Sequence, residues 1–93
     1  MRTLTLPLKG EYFDQIKAGT KPEEFRLATP YWRRRLEGQR YDRVQLTRGY
    51  PRRDDHTRRL VLPWQGCRLT IITHPHFGPT PAEVFAINVR HPM

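Results

Sequence analysis

The sequence predicts one small α+β domain, in which about six short strands curl into a small β-barrel and two short helices lie near the N-terminus. Three observations lead there. The chain has 93 residues, room for one modest core and not for two ordinary domains. Nine of those residues are Pro, a content that breaks long helices but suits short strands and turns. Apolar residues alternate with period two over several short runs, whereas helical spacing is confined to the first 40 or so positions.

The elements follow in order. Thr3 to Leu8 alternates strictly, with Leu4, Leu6 and Leu8 on one side, and reads as a half-buried strand. Pro7 has no N–H to give a ladder, so this strand is expected to carry a sheet edge. From Gly10 to Ala18 the residues Tyr12, Phe13 and Ile16 make a short amphipathic stripe, and Gly19 supplies a C′ position able to take φ > 0. Pro22 disfavours helix at Lys21, which predicts a corner and then a strand from about Glu23 to Leu27. In that strand Glu24 and Arg26 share one face, while Glu23, Phe25 and Leu27 share the other.

Thr29 followed by Pro30 reads as an N-cap and a proline at N1, opening a second short helix that stops at Gly38. Trp32 and Leu36 form its buried stripe; Arg33 and Arg34 project away from it and Arg35 lies nearer its edge. Arg43 to Gly49, Arg58 to Leu62, Arg68 to Thr73 and Val84 to Arg90 are the remaining expected strands, separated by turn-rich pieces at Tyr50 to Asp55 and His74 to Pro81.

Charge is the strongest compositional signal. The chain carries 17 Lys and Arg against 9 Asp and Glu, for a net +8, and Arg outnumbers Lys 14 to 3. A planar guanidinium grips phosphate with two hydrogen bonds and stacks on bases, so a nucleic acid is the expected partner. Residues 31–59 hold ten arginines against Glu37, Asp42, Asp54 and Asp55, which is +6 of the +8. Within that zone Arg33, Arg34, Arg52 and Arg53 are the expected phosphate contacts. A solvated charged face, or a surface for an acidic protein, are the competing readings of the same residues.

The lone Cys67 excludes an internal disulfide, and no Cys/His set has zinc spacing, so no cofactor is expected and a cytoplasmic location fits. No apolar run approaches the ~20 residues that cross a bilayer as a helix. His74 and His76 in THPHFG are two metal-capable ligands without an acidic third, and His56 in RRDDHTRR has Asp54 and Asp55 beside it at an expected hairpin tip. Cys67, Trp32 and Trp64 read first as core residues, although Trp64 beside Pro63 at a strand end is also placed to stack on a base.

Gly19, Lys21, Glu24 and Arg26 form G-x-K-x-x-E-x-R at the expected helix end, corner and strand. With its flanks, YFDQIKAGTKPEEFRL from Tyr12 to Leu27, this stretch resembles the signature of the ASCH domain family, a PUA-like β-barrel group associated with RNA. The resemblance covers the first third of the chain and implies a single ASCH-like domain over 1–93. It also implies that Lys21, Glu24 and Arg26 line a ligand cleft, with RNA or a nucleotide as the expected partner and DNA a further possibility. Some proteins of this kind are amidohydrolases of an acylated cytidine, in which the motif lysine works with a hydroxyl three positions later. Lys21 matches, but the later position is Glu24, so the hydroxyl is missing. Others are nucleases, for which Lys21, Tyr12, Tyr31 and Thr20 are the available groups. Lys21 and Glu24 are therefore the catalytic candidates if there is catalysis. The remaining alternative is a salt-bridge network that only closes the corner.

Overall fold

A computed structural model of the chain describes residues 1–92. Strand β1 (Thr3–Leu8) leads into helix α1 (Gly10–Lys17), strand β2 (Glu23–Leu27) and helix α2 (Pro30–Leu36). The second half is strand β3 (Arg43–Arg48), β4 (Arg59–Pro63), β5 (Cys67–Ile72) and β6 (Ala82–Asn88), with 3₁₀ turns at His56–Arg58 and Pro75–Phe77. All the expected elements form, making a small α+β fold of six strands and two helices.

The strands do not close into one barrel. They divide into two three-stranded sheets, β1-β3-β4 and β2-β6-β5. In the first, β1 runs parallel to β3 and β4 antiparallel to it. The second is antiparallel throughout. Local chemistry explains the opening between β1 and β2: Pro7 has no N–H for a ladder, and its carbonyl accepts instead from the Arg26 guanidinium at 2.8 Å. The expected edge at Pro7 is thus present, and a side chain of the other sheet bridges it.

The core lies between the sheets and under the helices. Leu4, Leu6 and Leu8 of β1 meet Val44 and Leu46 of β3 and Leu62 of β4, while α1 contributes Phe13 and Ile16 and α2 contributes Leu36. From the second sheet come Phe85 and Ile87. Strand β6 is the central strand of its sheet and is buried on both faces from Val84 to Ile87. Its apolar run therefore lacks alternation, which is why its ends fall two residues earlier than the sequence pattern suggests. The α2 N-cap forms as expected, with the Trp32 N–H donating to Thr29 Oγ1 at 3.3 Å.

Candidate ligand cleft at the α1–β2 corner

Helix α1 ends at a left-handed Gly19, φ 83°, and the two residues beyond it are tied back to the last turn. The N–H groups of Thr20 and Lys21 both donate to the Gln15 carbonyl, at 2.9 and 3.3 Å. Pro22 forces the extended path, and its carbonyl accepts from Val89 N–H at 3.0 Å. Lys21 is thereby fixed at the entrance to β2, with Glu24 three residues on.

Glu24 is one of two buried polar side chains among the described residues, at 4% exposure. One carboxylate oxygen lies 3.7 Å from the Lys21 ammonium and the other 3.0 Å from the Arg26 guanidinium. Taking a carboxylate out of water is costly, and it persists here because two cations flank it, one of them, Arg26, through a hydrogen bond. Arg26 in turn lies against the Trp32 ring, 5.4 Å from guanidinium to centroid. The residues that the sequence pattern groups together therefore form one connected set, and that set joins the two sheets through Pro7.

Beside this set is a cavity of about 180 Å³, walled by Tyr12, Phe25, His74, His76 and Phe77 and bounded by Pro7 to Lys9. The Lys21 ammonium stands over the Phe25 ring at 4.7 Å and the Tyr12 ring at 5.3 Å. The aromatic wall is continuous: Tyr12 meets His74 and His76, each at 6.0 Å between centroids, and His76 meets Phe77 at 5.0 Å. Burial, and then the carboxylates of Glu11 and Glu24, push the Tyr12 phenol up from its ordinary value. It is a neutral hydroxyl here and not a phenolate base.

The segment 74–77 is the part of the cleft that the motif did not announce. His74 Nδ1 accepts from the His76 N–H at 3.1 Å, capping the 3₁₀ turn. The two imidazoles are thus wall and turn, and among the described residues no three His, Cys, Asp or Glu gather as a metal set. Lys9, exposed at the rim, was also unmarked in the sequence.

Other candidates lie elsewhere. Thr20 Oγ1 donates to the Gln15 carbonyl at 3.1 Å, and Tyr31 is on the exposed side of α2, its hydroxyl accepting from Arg35 at 2.6 Å. Of the four groups considered for a nuclease, only Lys21 and Tyr12 line the cavity. Arg33 is not a free surface cation: it pairs with Glu37 and Glu83 and donates from Nε to the Ala28 carbonyl at 3.2 Å. Arg34, Arg52 and Arg53 are exposed. Trp64 packs against the core with Tyr41, centroids 5.2 Å apart. Cys67 is half-buried, and burial pushes its thiol up, as expected of an inert packing residue.

No protein-family model, curated protein or solved structure matches the chain.

Proposed function

We propose that the protein is a binding module for single-stranded RNA or a nucleotide, taking one base into the cleft at Lys21, Glu24 and Arg26. The reading rests on one observation: a buried carboxylate with two paired cations adjoins a small cavity walled by five aromatic rings. Cavities of about 150 Å³ accept a benzene-sized ring. A space of about 180 Å³ therefore suits one heteroaromatic ring and excludes a whole nucleotide. Glu24 offers acceptors to base N–H groups, while Lys21 and Arg26 offer donors to base carbonyls. Stacking on aromatic side chains is worth about 1–3 kcal/mol per base, and unstacked single strands are the form of RNA that proteins read in this way.

The G-x-K-x-x-E-x-R motif and the two-sheet α+β frame support an ASCH-like assignment. On that assignment the two sheets are the halves of a PUA-like barrel opened at two seams, between β1 and β2 and between β4 and β5. Binding is favoured over catalysis because the position that would carry the catalytic hydroxyl holds Glu24, and this carboxylate is spent on holding two cations.

Lys21→Ala tests both points. Affinity for short single-stranded RNA is expected to fall by about tenfold, the effect of removing one well-placed charged group. Neither wild type nor variant is expected to turn over RNA or an N-acylated cytidine. Equal binding by the two proteins would remove the cleft from the reading. Robust hydrolysis by the wild type that vanishes in the folded variant would replace the binding module with an enzyme.

A further inference from the structure

A second concave site lies on the other sheet. Gln45 and Val61 are register partners across β3 and β4, as are Thr47 and Arg59. Since Val44, Leu46 and Leu62 face the core, these four residues occupy the outer face of the sheet. The β3–β4 hairpin folds back over that face. Thr47 Oγ1 donates to the Gly49 carbonyl at 2.7 Å, Gly49 turns the chain at φ 66°, and Arg59 Nη2 donates to the carbonyls of Arg52 at 3.0 Å and Pro51 at 3.4 Å. Between hairpin and sheet runs a groove of about 600 Å³ lined by Gln45, Pro51, Arg53, His56, Arg59 and Val61.

The lining contains two guanidinium groups, an imidazole and an amide, and no carboxylate. Of the two acids in the hairpin, Asp54 is exposed and outside the lining, and Asp55 is turned into its own 3₁₀ turn, where it accepts from the Thr57 amide and hydroxyl and pairs with Arg58. Among the described residues neither Arg53 nor Arg59 has an ion-pair partner within 4.0 Å, and Arg59 Nε is buried with no hydrogen-bond acceptor. Cations gathered in one concave surface repel each other, and a fold that leaves them uncompensated stabilises an anion there. Forked guanidinium donors with neighbouring N–H groups match the oxygens of a phosphate.

From this geometry we infer that the groove holds a backbone phosphate of the same nucleic-acid strand whose base enters the cleft, an inference that rests on the RNA reading above. The two sites are linked through the sheet. Pro7, at the rim of the cleft, is the register partner of Thr47, and Thr47 is the partner of Arg59. Neighbouring strands are about 4.8 Å apart, so the backbones at the two sites are separated by about 10 Å. That distance is about three stacked nucleotides at ~3.4 Å each, and fewer in an extended strand. Recognition is thus bipartite: a base read in an aromatic cavity, and a phosphate gripped a few nucleotides away.

The test uses the full chain and fluorescently labelled single-stranded hexaribonucleotides, titrated over a range of salt. Arg53 and His56 are exposed and form no side-chain hydrogen bond among the described residues, so Arg53→Gln with His56→Gln is expected to fold normally. This double variant is expected to lose about tenfold in affinity and to flatten the log–log salt slope by at least ~0.7, one single-strand phosphate contact. Unchanged affinity and slope would overturn the groove. The Lys21→Ala variant, measured alongside, separates the two sites. If it weakens binding while the groove variant does not, the groove falls and the cleft stands; if only the groove variant weakens binding, the phosphate site stands without the cleft.

Discussion

The cleft at the α1–β2 corner and the groove under the β3–β4 hairpin both gather arginine, and they treat its charge in opposite ways. In the cleft, Lys21 and Arg26 are mostly buried, and Glu24 sits between them as their counter-charge. In the groove, Arg53 and Arg59 share a lining that includes no carboxylate. The difference follows from desolvation. A cation that loses its water needs an internal partner, whereas one that keeps part of its hydration can be left for solvent or an anion to satisfy. The cleft therefore holds its charges in a paired, oriented set with one carboxylate between two cations, which suits discrimination. The groove presents field with less enclosed geometry, which suits grip.

Removing Glu24 breaks this contrast most severely. Glu24→Gln leaves two cations, at 12% and 19% side-chain exposure, with no counter-charge. Losing one partner of a buried pair costs about 3–5 kcal/mol, and the partial exposure of these cations places the expected cost near ~3. For a domain of this size that lowers Tm by roughly 12–24 °C. Thermal unfolding measures it, and a panel of RNAs on the still-folded variant at low temperature is expected to show impaired discrimination with most of the salt-dependent binding retained. A shift in Tm of only a degree or two would mean that the carboxylate is not holding the corner.

A smaller effect sharpens the other side of the comparison. Arg34 and Arg52 are exposed, and replacing both by Gln is expected to flatten the salt slope by about 0.7 for each phosphate no longer neutralised, with the fold unchanged. Arg33→Gln is expected to do the reverse. Its guanidinium is shared between Glu37 and Glu83 at 38% side-chain exposure, so its removal costs a little stability and leaves the slope alone. Measuring slope and Tm on both variants separates arginines that face a ligand from those that brace α2. A slope change in Arg33→Gln equal to that of the double variant would erase the distinction.

These contrasts also show what the sequence can and cannot reveal. The strict alternation of Thr3 to Leu8 and the cap at Thr29-Pro30 are local signals, and the corresponding elements form where they predict. Lys21, Glu24 and Arg26 lie within six residues, so strand geometry alone brings them together. The aromatic wall was not legible because His74 reaches Tyr12 and Phe25 from 62 and 49 positions downstream, and no local spacing records that contact. Arg33 misleads for the same reason: Glu83, 50 positions away, is its partner. Barrel closure needs two seams, β1 with β2 and β4 with β5, a tertiary matter that local alternation does not record and that Pro7 bears on at the first seam only.

The smallest expected effect is confined to the turn that keeps acid out of the groove. Hydrogen bonds from Thr57, its hydroxyl first and then its amide, together with the charge of Arg58, hold the Asp55 carboxyl below the ordinary carboxylate range. A carboxyl whose pKa is lower in the folded state stabilises that state at pH values above its unfolded pKa, and the contribution is lost as pH falls through the folded value. The window is therefore acidic, beginning near pH 4 and extending below it. Because Asp55 sits at the surface, the expected response is local: protonation releases the Thr57 amide, 3.1 Å from the carboxylate, and the Arg58 guanidinium, while the sheets stay intact. Acid titration followed by amide resonances should show Thr57 moving below pH 4 while Val44 and Leu46 do not. Asp55→Asn should abolish that transition. If Thr57 instead moves together with the core residues, the turn is coupled to the whole domain, and the hairpin is a structural part of the fold instead of a separable rim of the phosphate groove.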